Sequence, residues 1–301
     1  MEVSVIIPCY NKEVYVEACV SSILQQDFVS FEVIMVDDGS TDGTGSVCDR
    51  LAATDERLRV YHTANGGVTA ARRYGVEHAR GRYIMFVDSD DRLMPGAISL
   101  LHKTIEETGA DEVIGSYRTQ RGTVHDSGRR GWQEPALLAG ELLAVRNSFC
   151  VLWGIIFRRE LLDGCLTMSR DIITSEDILM QIKCLMKQPK VYFIGQQVYW
   201  YNEGLPNNRN TRLDNVRVFD TELRKTLTPR WSEFKDGYLL HCVKTYESFI
   251  YHRCFYVREY YKMLKKEDLS HLPTADYIAF MLPPRIAFIP IWLKKTLQSR
   301  S

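Results

Sequence analysis

The chain has 301 residues, 45% hydrophobic and 25% charged, which suits one large α/β domain with an appendage. Lys and Arg number 38 and Asp and Glu 38, so the formal net charge is zero, and neither a nucleic-acid-binding basic excess nor a disordering acidic excess is present. Eight scattered cysteines without a CxxC pair, an N-terminus without a signal-peptide pattern and no apolar run of membrane-spanning length predict reduced core thiols and machinery facing the cytoplasm. Val3–Ile7 is a short β-branched run and predicts a strand. Glu13–Gln26 carries Val16, Cys19, Val20, Ile23 and Leu24 at helical spacing. Glu32–Val36 predicts a second strand, Val47–Ala53 a helix, Leu58–His62 a third strand and Val68–Ala79 a helix. Tyr83–Val87 predicts a fourth strand, with Pro95 as the first residue of the next helix, and Asp111–Gly115 a fifth strand. Arg118 to Arg130 reads as a mobile loop and Ala136–Arg146 as a helix. Thr174–Met186 predicts a helix with Thr174 or Ser175 as N-cap and Glu176 and Asp177 in its first turn. Val191–Ile194 and Val198–Tyr201 read as strands, the polar Asn202–Arg212 as a flexible loop, and the chain from about Asp214 as helical, most regularly over Tyr238–Lys266.

Alternation of strand and helix over the first 115 or so residues predicts a mostly parallel sheet covered by helices, with ligands at the carboxyl ends of the strands. Strand 1 runs into Pro8-Cys9-Tyr10-Asn11, strand 2 into Asp37-Asp38-Gly39-Ser40 and strand 4 into Asp88-Ser89-Asp90-Asp91. Two of these three ends are acidic. Carboxylates at i and i+2 of an extended chain face one side, and at an effective dielectric near 20 they repel by roughly 4 kcal/mol at ~4 Å. A hard divalent cation removes that repulsion, and an oxygen-only ligand set of Asp88 and Asp90 points to Mn²⁺ or Mg²⁺. A carboxylate at a strand end, Asp37 or Asp38, can accept from a base N–H or ribose hydroxyls, Tyr10 offers a flat face to a nucleobase, and Arg72 offers a fork to phosphate. The competing nucleotide signatures are missing: no GxGxxG follows strand 1, and no Gly-Lys-Ser/Thr, HExxH or GxSxG occurs.

Val5-Ile-Ile-Pro-Cys-Tyr-Asn11, Val36-Asp-Asp-Gly-Ser-Thr-Asp42, Asn65-Gly-Gly-Val68, Ala71-Arg72, Gly81-Arg-Tyr-Ile84 and Phe86-Val-Asp-Ser-Asp-Asp91 come in that order. The set resembles the signature of family 2 glycosyltransferases, and Trp153-Gly154, Phe157 to Leu162, Ser175 to Ile178 and Val191 to Tyr201 extend the resemblance. Arg73 departs from it, since the family often has Asn after the arginine. The resemblance implies the GT-A fold, a Rossmann-like mixed and mostly parallel sheet flanked by helices, here over 1–213 with a helical extension over 214–301. It implies a nucleotide-sugar site of Pro8, Tyr10, Asn11, Asp37, Asp38, Arg72, Asp88 and Ser89, a DxD metal site of Asp88 and Asp90, and a general base in Asp177 or, second, Glu176. It further implies inverting transfer, from a UDP-sugar in most members, to a saccharide or lipid-linked acceptor of a surface polysaccharide or glycolipid. Two other readings stand beside it. A sugar nucleotidyltransferase requires a Gly-rich loop where Pro8-Cys9-Tyr10 stands, and an inactive assembly factor predicts loss of a carboxylate that is present here.

His241, Cys242, His252 and Cys254 lack a metal-ligand spacing and read as packing. The tail 283–301 joins Ile286-Ala-Phe-Ile-Pro-Ile-Trp-Leu293 to Arg285, Lys294, Lys295 and Arg300 without an acid. It is read two ways: as a peripheral contact with the inner membrane leaflet, and as a packed extension over the core in which Pro283, Pro284 and Pro290 spoil a regular helix.

Overall fold

The computed structural model describes residues 1–144, 149, 151–204, 213–253, 262, 264–270 and 272–298. The chain divides into two compact units, Met1–Leu138 with Asn147–Glu222, and Ala139–Arg146 with Leu223–Ser301.

The first unit is built on one mixed sheet. Strand β1 (Val3–Cys9) is buried at all seven positions, because it lies between two parallel neighbours with helices on both faces. Helix α1 (Val16–Leu24) buries Val16, Cys19, Val20 and Ile23, four of the five apolar residues that predict it. Then follow β2 (Phe31–Asp37), α2 (Thr44–Ala52), β3 (Leu58–His62), α3 (Val68–His78), β4 (Tyr83–Phe86) and the two-residue β5 (Arg92–Leu93). Helix α4 (Ala97–Thr108) starts two residues beyond the expected Pro95: Gly96 turns the chain at φ 73°, so the helix begins only after it.

Strand β6 (Glu112–Thr119) continues into the segment read as a loop. It folds back through Gly122 (φ 88°) onto β7 (Val124–His125), so the first half of that segment is a hairpin, stitched by Thr119 N–H to the Thr123 carbonyl at 2.8 Å. After β8 (Gly131–Gln133) and α5 (Pro135–Leu143) comes β9 (Ile155–Arg158), a strand not expected above, which inserts antiparallel between β4 and β6. Helix α6 (Glu176–Leu185) has Ser175 at its N-cap position, but at φ 64° and without a capping bond from its side chain. The two runs expected as separate strands are one, β10 (Val191–Tyr201), whose register shifts around Gln197. The sheet order is β3-β2-β1-β4-β9-β6-β10-β5. In register, Cys9 pairs with Asp37 and Ile6 with Phe86, so Tyr10, Asp38 and Asp88 all leave the sheet at one end.

Helix α7 (Leu213–Leu227) contains the division between the units, which falls between Glu222 and Leu223. Within the second unit, α8 (Trp231–Tyr251) buries Leu239, Cys242, Val243, Tyr246 and Ile250. It packs with α9 (Thr274–Met281) through Tyr246 against Phe280 and an ion pair of Lys244 with buried Asp276 at 2.7 Å, and also with α10 (Pro284–Gln298). The rest of the expected Tyr238–Lys266 helix falls largely outside the described residues. The tail prolines do not prevent a helix. Pro284 stands at the first position of α10, where its missing N–H costs little, and the helix continues through Pro290 with Ala287 and Ile291 buried. No helix among the described residues is long and apolar enough to cross a membrane. Cys9, Cys19, Cys48, Cys165, Cys184 and Cys242 are free and buried, as expected of core thiols.

Candidate active site

The end of β1 forms the first wall. Pro8 is buried within the strand, while Tyr10 emerges 46% exposed. Asn11 takes a left-handed backbone (φ 51°), a conformation that Asn tolerates, and its Oδ1 accepts from Thr41 N–H at 2.8 Å. Lys12 follows. Its N–H donates to Thr44 Oγ1 at 2.7 Å and its ammonium reaches Asp90 Oδ2 at 2.6 Å.

The two aspartates at the end of β2 are both buried and both engaged. Asp37 accepts from Ser40 N–H at 3.1 Å and pairs with His62 Nδ1 at 3.0 Å. The contacts with Asp37 and then Asp49 raise the His62 pKa despite some burial. Asp38 accepts from Gly66 N–H through Oδ1 and from Gly67 N–H through Oδ2, both at 2.8 Å. It therefore staples the Asn65-Gly66-Gly67 turn that launches α3, and both oxygens expected to hold a nucleoside are committed to backbone. Gly66 and Gly39 suit this turn because added Cβ atoms would meet Ala70 Cβ at 2.9 Å and Asn65 N at 2.8 Å.

Arg72 on α3 differs from its expected posture. Its side chain is 3% exposed, and its fork is closed inside the protein: Nη2 donates to Asp88 Oδ1 and Nη1 to Asp177 Oδ1, both at 2.8 Å. Burial opposes the guanidinium charge, but Asp177, Asp88 and Glu176 outweigh it and raise its pKa. Nε has no hydrogen-bond partner among the described residues. A single buried cation thus joins the end of β4 to the start of α6.

Ser89 is buried, whereas Asp88 and Asp90 keep side-chain exposures of 30% and 19%. Asp91 is buried instead, accepting from the Tyr199 hydroxyl and from Asn202 N–H at 2.7 Å each. Its pKa is pushed up to about 8, by burial first and then by the charge of Asp88. Asp88 N–H in turn donates to Tyr199 Oη at 3.1 Å, so one tyrosine on β10 anchors the acidic turn at both ends. On α6, Glu176 is buried and Asp177 is 24% exposed. Burial raises the Asp177 pKa to about 6; Arg72 pulls it down while Glu176 and Asp88 push it up.

Asp88, Asp90, Arg72 and Asp177 therefore converge, with Glu176 in electrostatic reach of Arg72. Lys12, Tyr199 and His62 are additions. Only charge balance hinted at Lys12, since several carboxylates at one sheet end call for more cations than Arg72.

The family model for glycosyl transferase family 2 matches residues 4–166, more than half of the chain. The chain belongs to glycosyl transferase family 2. Among this family's curated members, the uncharacterized glycosyltransferase EpsJ of Bacillus subtilis (strain 168) is 32% identical over 237 residues, covering 74% of this chain and 67% of EpsJ. Two solved glycosyltransferases have the same fold. TarS of S. aureus, residues 1–349 in complex with UDP-GlcNAc, matches with a TM-score of 0.65 at 19% identity, over 100% of this chain and 93% of that one. The mannosyltransferase PcManGT of Pyrobaculum calidifontis, in complex with GDP-Man and Mn²⁺, matches with a TM-score of 0.52 at 17% identity, over 100% of this chain and 75% of that one. The first unit of this family 2 member has the GT-A architecture, and its C-terminal region is helical.

Proposed function

We propose that this chain transfers a hexosyl or N-acetylhexosaminyl group from a nucleoside diphosphate sugar to a hydroxyl of a saccharide or lipid-linked saccharide, with inversion, in the synthesis of a surface polysaccharide. The observation that carries the proposal is the Arg72 bridge, which joins a carboxylate of the acidic turn, Asp88, to the carboxylate expected as base, Asp177. Tyr10 and Asn11, both exposed, receive the nucleoside, with Asp37 behind them because its two oxygens are taken by Ser40 N–H and His62. Pro8 and Asp38 act behind them, by shaping β1 and holding the Gly66-Gly67 turn. The diphosphate lies at Asp88, Ser89 and Asp90. UDP is the first nucleotide to try, because TarS carries UDP-GlcNAc.

Asp88 and Asp90 fit a divalent cation by their chemistry. They are hard oxygen donors, partly exposed, and each has one oxygen outside its ion pair. Among the described residues no cluster of three or more His, Cys, Asp or Glu forms a protein-only cage. Two carboxylates suit Mn²⁺ or Mg²⁺, which keep waters and substrate phosphates in their shell. When bound, the cation neutralises charge on the departing diphosphate. Asp177 takes the proton of the acceptor hydroxyl as that oxygen attacks the anomeric carbon, and Glu176 is the second choice. Arg72 acts through these carboxylates as a positioning residue.

A cytoplasmic site of action suits the buried free thiols, and contact with the inner leaflet is part of the same proposal. Ile286, Ile289 and Leu293 are exposed along one side of α10 in an acid-free basic tail. Pelleting with anionic but not zwitterionic vesicles, lost in Ile289→Asp, is the expected result; no pelleting with either removes this part.

The central test is donor turnover. The purified chain is mixed with UDP-, GDP- and dTDP-sugars in Mn²⁺, in EDTA, and as Asp90→Ala. Slow nucleotide release from one donor, abolished by EDTA and by the substitution, is expected. A folded chain that binds no nucleotide sugar in the presence of metal would leave the assembly-factor reading in its place.

A further inference from the structure

Both partly exposed carboxylates of the acidic turn already have a cation of the chain beside them. Asp88 engages Arg72 at 2.8 Å and Asp90 engages Lys12 at 2.6 Å. The two cations differ in freedom. Arg72 is 3% exposed and held by carboxylates at both ends of its fork, so it cannot leave one without stranding a buried charge. Lys12 is 29% exposed and carries a compact ammonium on a four-carbon stem. Its base is fixed, because its own N–H is bound to Thr44 Oγ1 and the preceding Asn11 is pinned to Thr41. While it holds Asp90, its head also lies 5.8 Å from the centre of the Tyr15 ring.

We propose that Lys12 is the resident counter-ion of Asp90, neutralising that carboxylate while the donor is away and releasing it when a divalent cation and a diphosphate arrive together. The inference rests on the reading of Asp88 and Asp90 as metal ligands. Without a diphosphate, a metal ion that takes Asp90 leaves the ammonium no new anion, only water. With a diphosphate present, the displaced ammonium meets a new anion. Lys12 therefore disfavours metal binding alone and favours joint binding of metal and nucleotide, and the coupling is reciprocal.

The test is Mn²⁺ binding, read as loss of the free-ion electron paramagnetic resonance signal. The full chain, Lys12→Met and Lys12→Gln are titrated at fixed pH and ionic strength, with and without UDP. Both substitutions keep the backbone bond to Thr44, and near-ultraviolet circular dichroism checks the fold. Without UDP, both variants should bind Mn²⁺ about two- to fivefold more tightly than the wild type. The factor by which UDP tightens Mn²⁺ binding should shrink in both. Equal or weaker Mn²⁺ binding by the variants without UDP overturns the role of Lys12 and leaves the metal site standing. Failure of every protein to bind Mn²⁺, with or without UDP, removes the ligand reading of Asp88 and Asp90 and this proposal with it.

Discussion

Asp177 faces two opposing demands: it must be ionised to accept a proton, yet burial raises its pKa to about 6. Arg72 is the residue that keeps it usable near neutrality, since the guanidinium favours the charged form. As the proposed base, Asp177 gives two expectations. Asp177→Asn should lower kcat by about 10²- to 10⁴-fold with circular dichroism unchanged. In the wild type, kcat/KM should fall as pH drops through about 6, because protonation removes the base. Arg72→Lys keeps one charge but cannot span Asp88 and Asp177 with a planar fork. It should lower kcat on the order of 10²-fold and move the acid limb of the pH profile upward. A loss of activity with the limb unmoved would make Arg72 a purely structural residue.

At the scale of elements, α3 carries Arg72 and must lie close to β1. Gly75 permits that approach: a Cβ there would meet Ile6 Cγ2 at 2.4 Å, well inside contact distance. Gly75→Ala should destabilise the fold by about 1–3 kcal/mol in urea unfolding and reduce activity as α3 is pushed off the sheet. Gly140 is the contrast, because it lies inside α5 and an added Cβ meets nothing within 4 Å. Gly140→Ala should stabilise by about 0.5–1 kcal/mol. If both substitutions moved stability equally, close packing would not be the reason for glycine at 75.

Across the whole molecule, several buried acids hold protons that the unfolded chain has already released. Burial raises Glu112 to about 7, although Gln181 Nε2 donates to it at 3.0 Å, and burial likewise raises Asp220 to about 7. For such groups the folded state binds more protons than the unfolded state between the ordinary carboxylate range and about 7, so stability falls as pH rises through that window. His62 adds to the trend, since its raised pKa gives stability present at lower pH and lost as pH rises through the folded value. The melting temperature should be higher at pH 5.5 than at pH 8. Glu112→Gln, which keeps an acceptor for Gln181, should recover part of the loss at pH 8. A melting temperature that rises across this range would show that Glu112 and Asp220 are ionised in the folded chain.

Local pattern alone determined the strands that build the sheet end, the family resemblance and the position of the acidic turn, because burial on both faces of a parallel strand writes a continuous apolar run into the chain. It also placed α1 and α3 within a few residues, since one buried face per helix repeats every three to four positions. Only the tertiary structure decided which charges meet. Arg72 and Asp177 lie 105 residues apart, Lys12 and Asp90 78, and Tyr199 and Asp91 108. Those pairings depend on strand order and register, including the antiparallel insertion of β9 between β4 and β6, which no local periodicity encodes. For the same reason, sequence could present Asp38 and Arg72 as groups open to a ligand, whereas folding turns one to the Gly66-Gly67 backbone and closes the other on two carboxylates. A buried polar group must find its partner within the protein, and only the folded chain determines which partner is in reach.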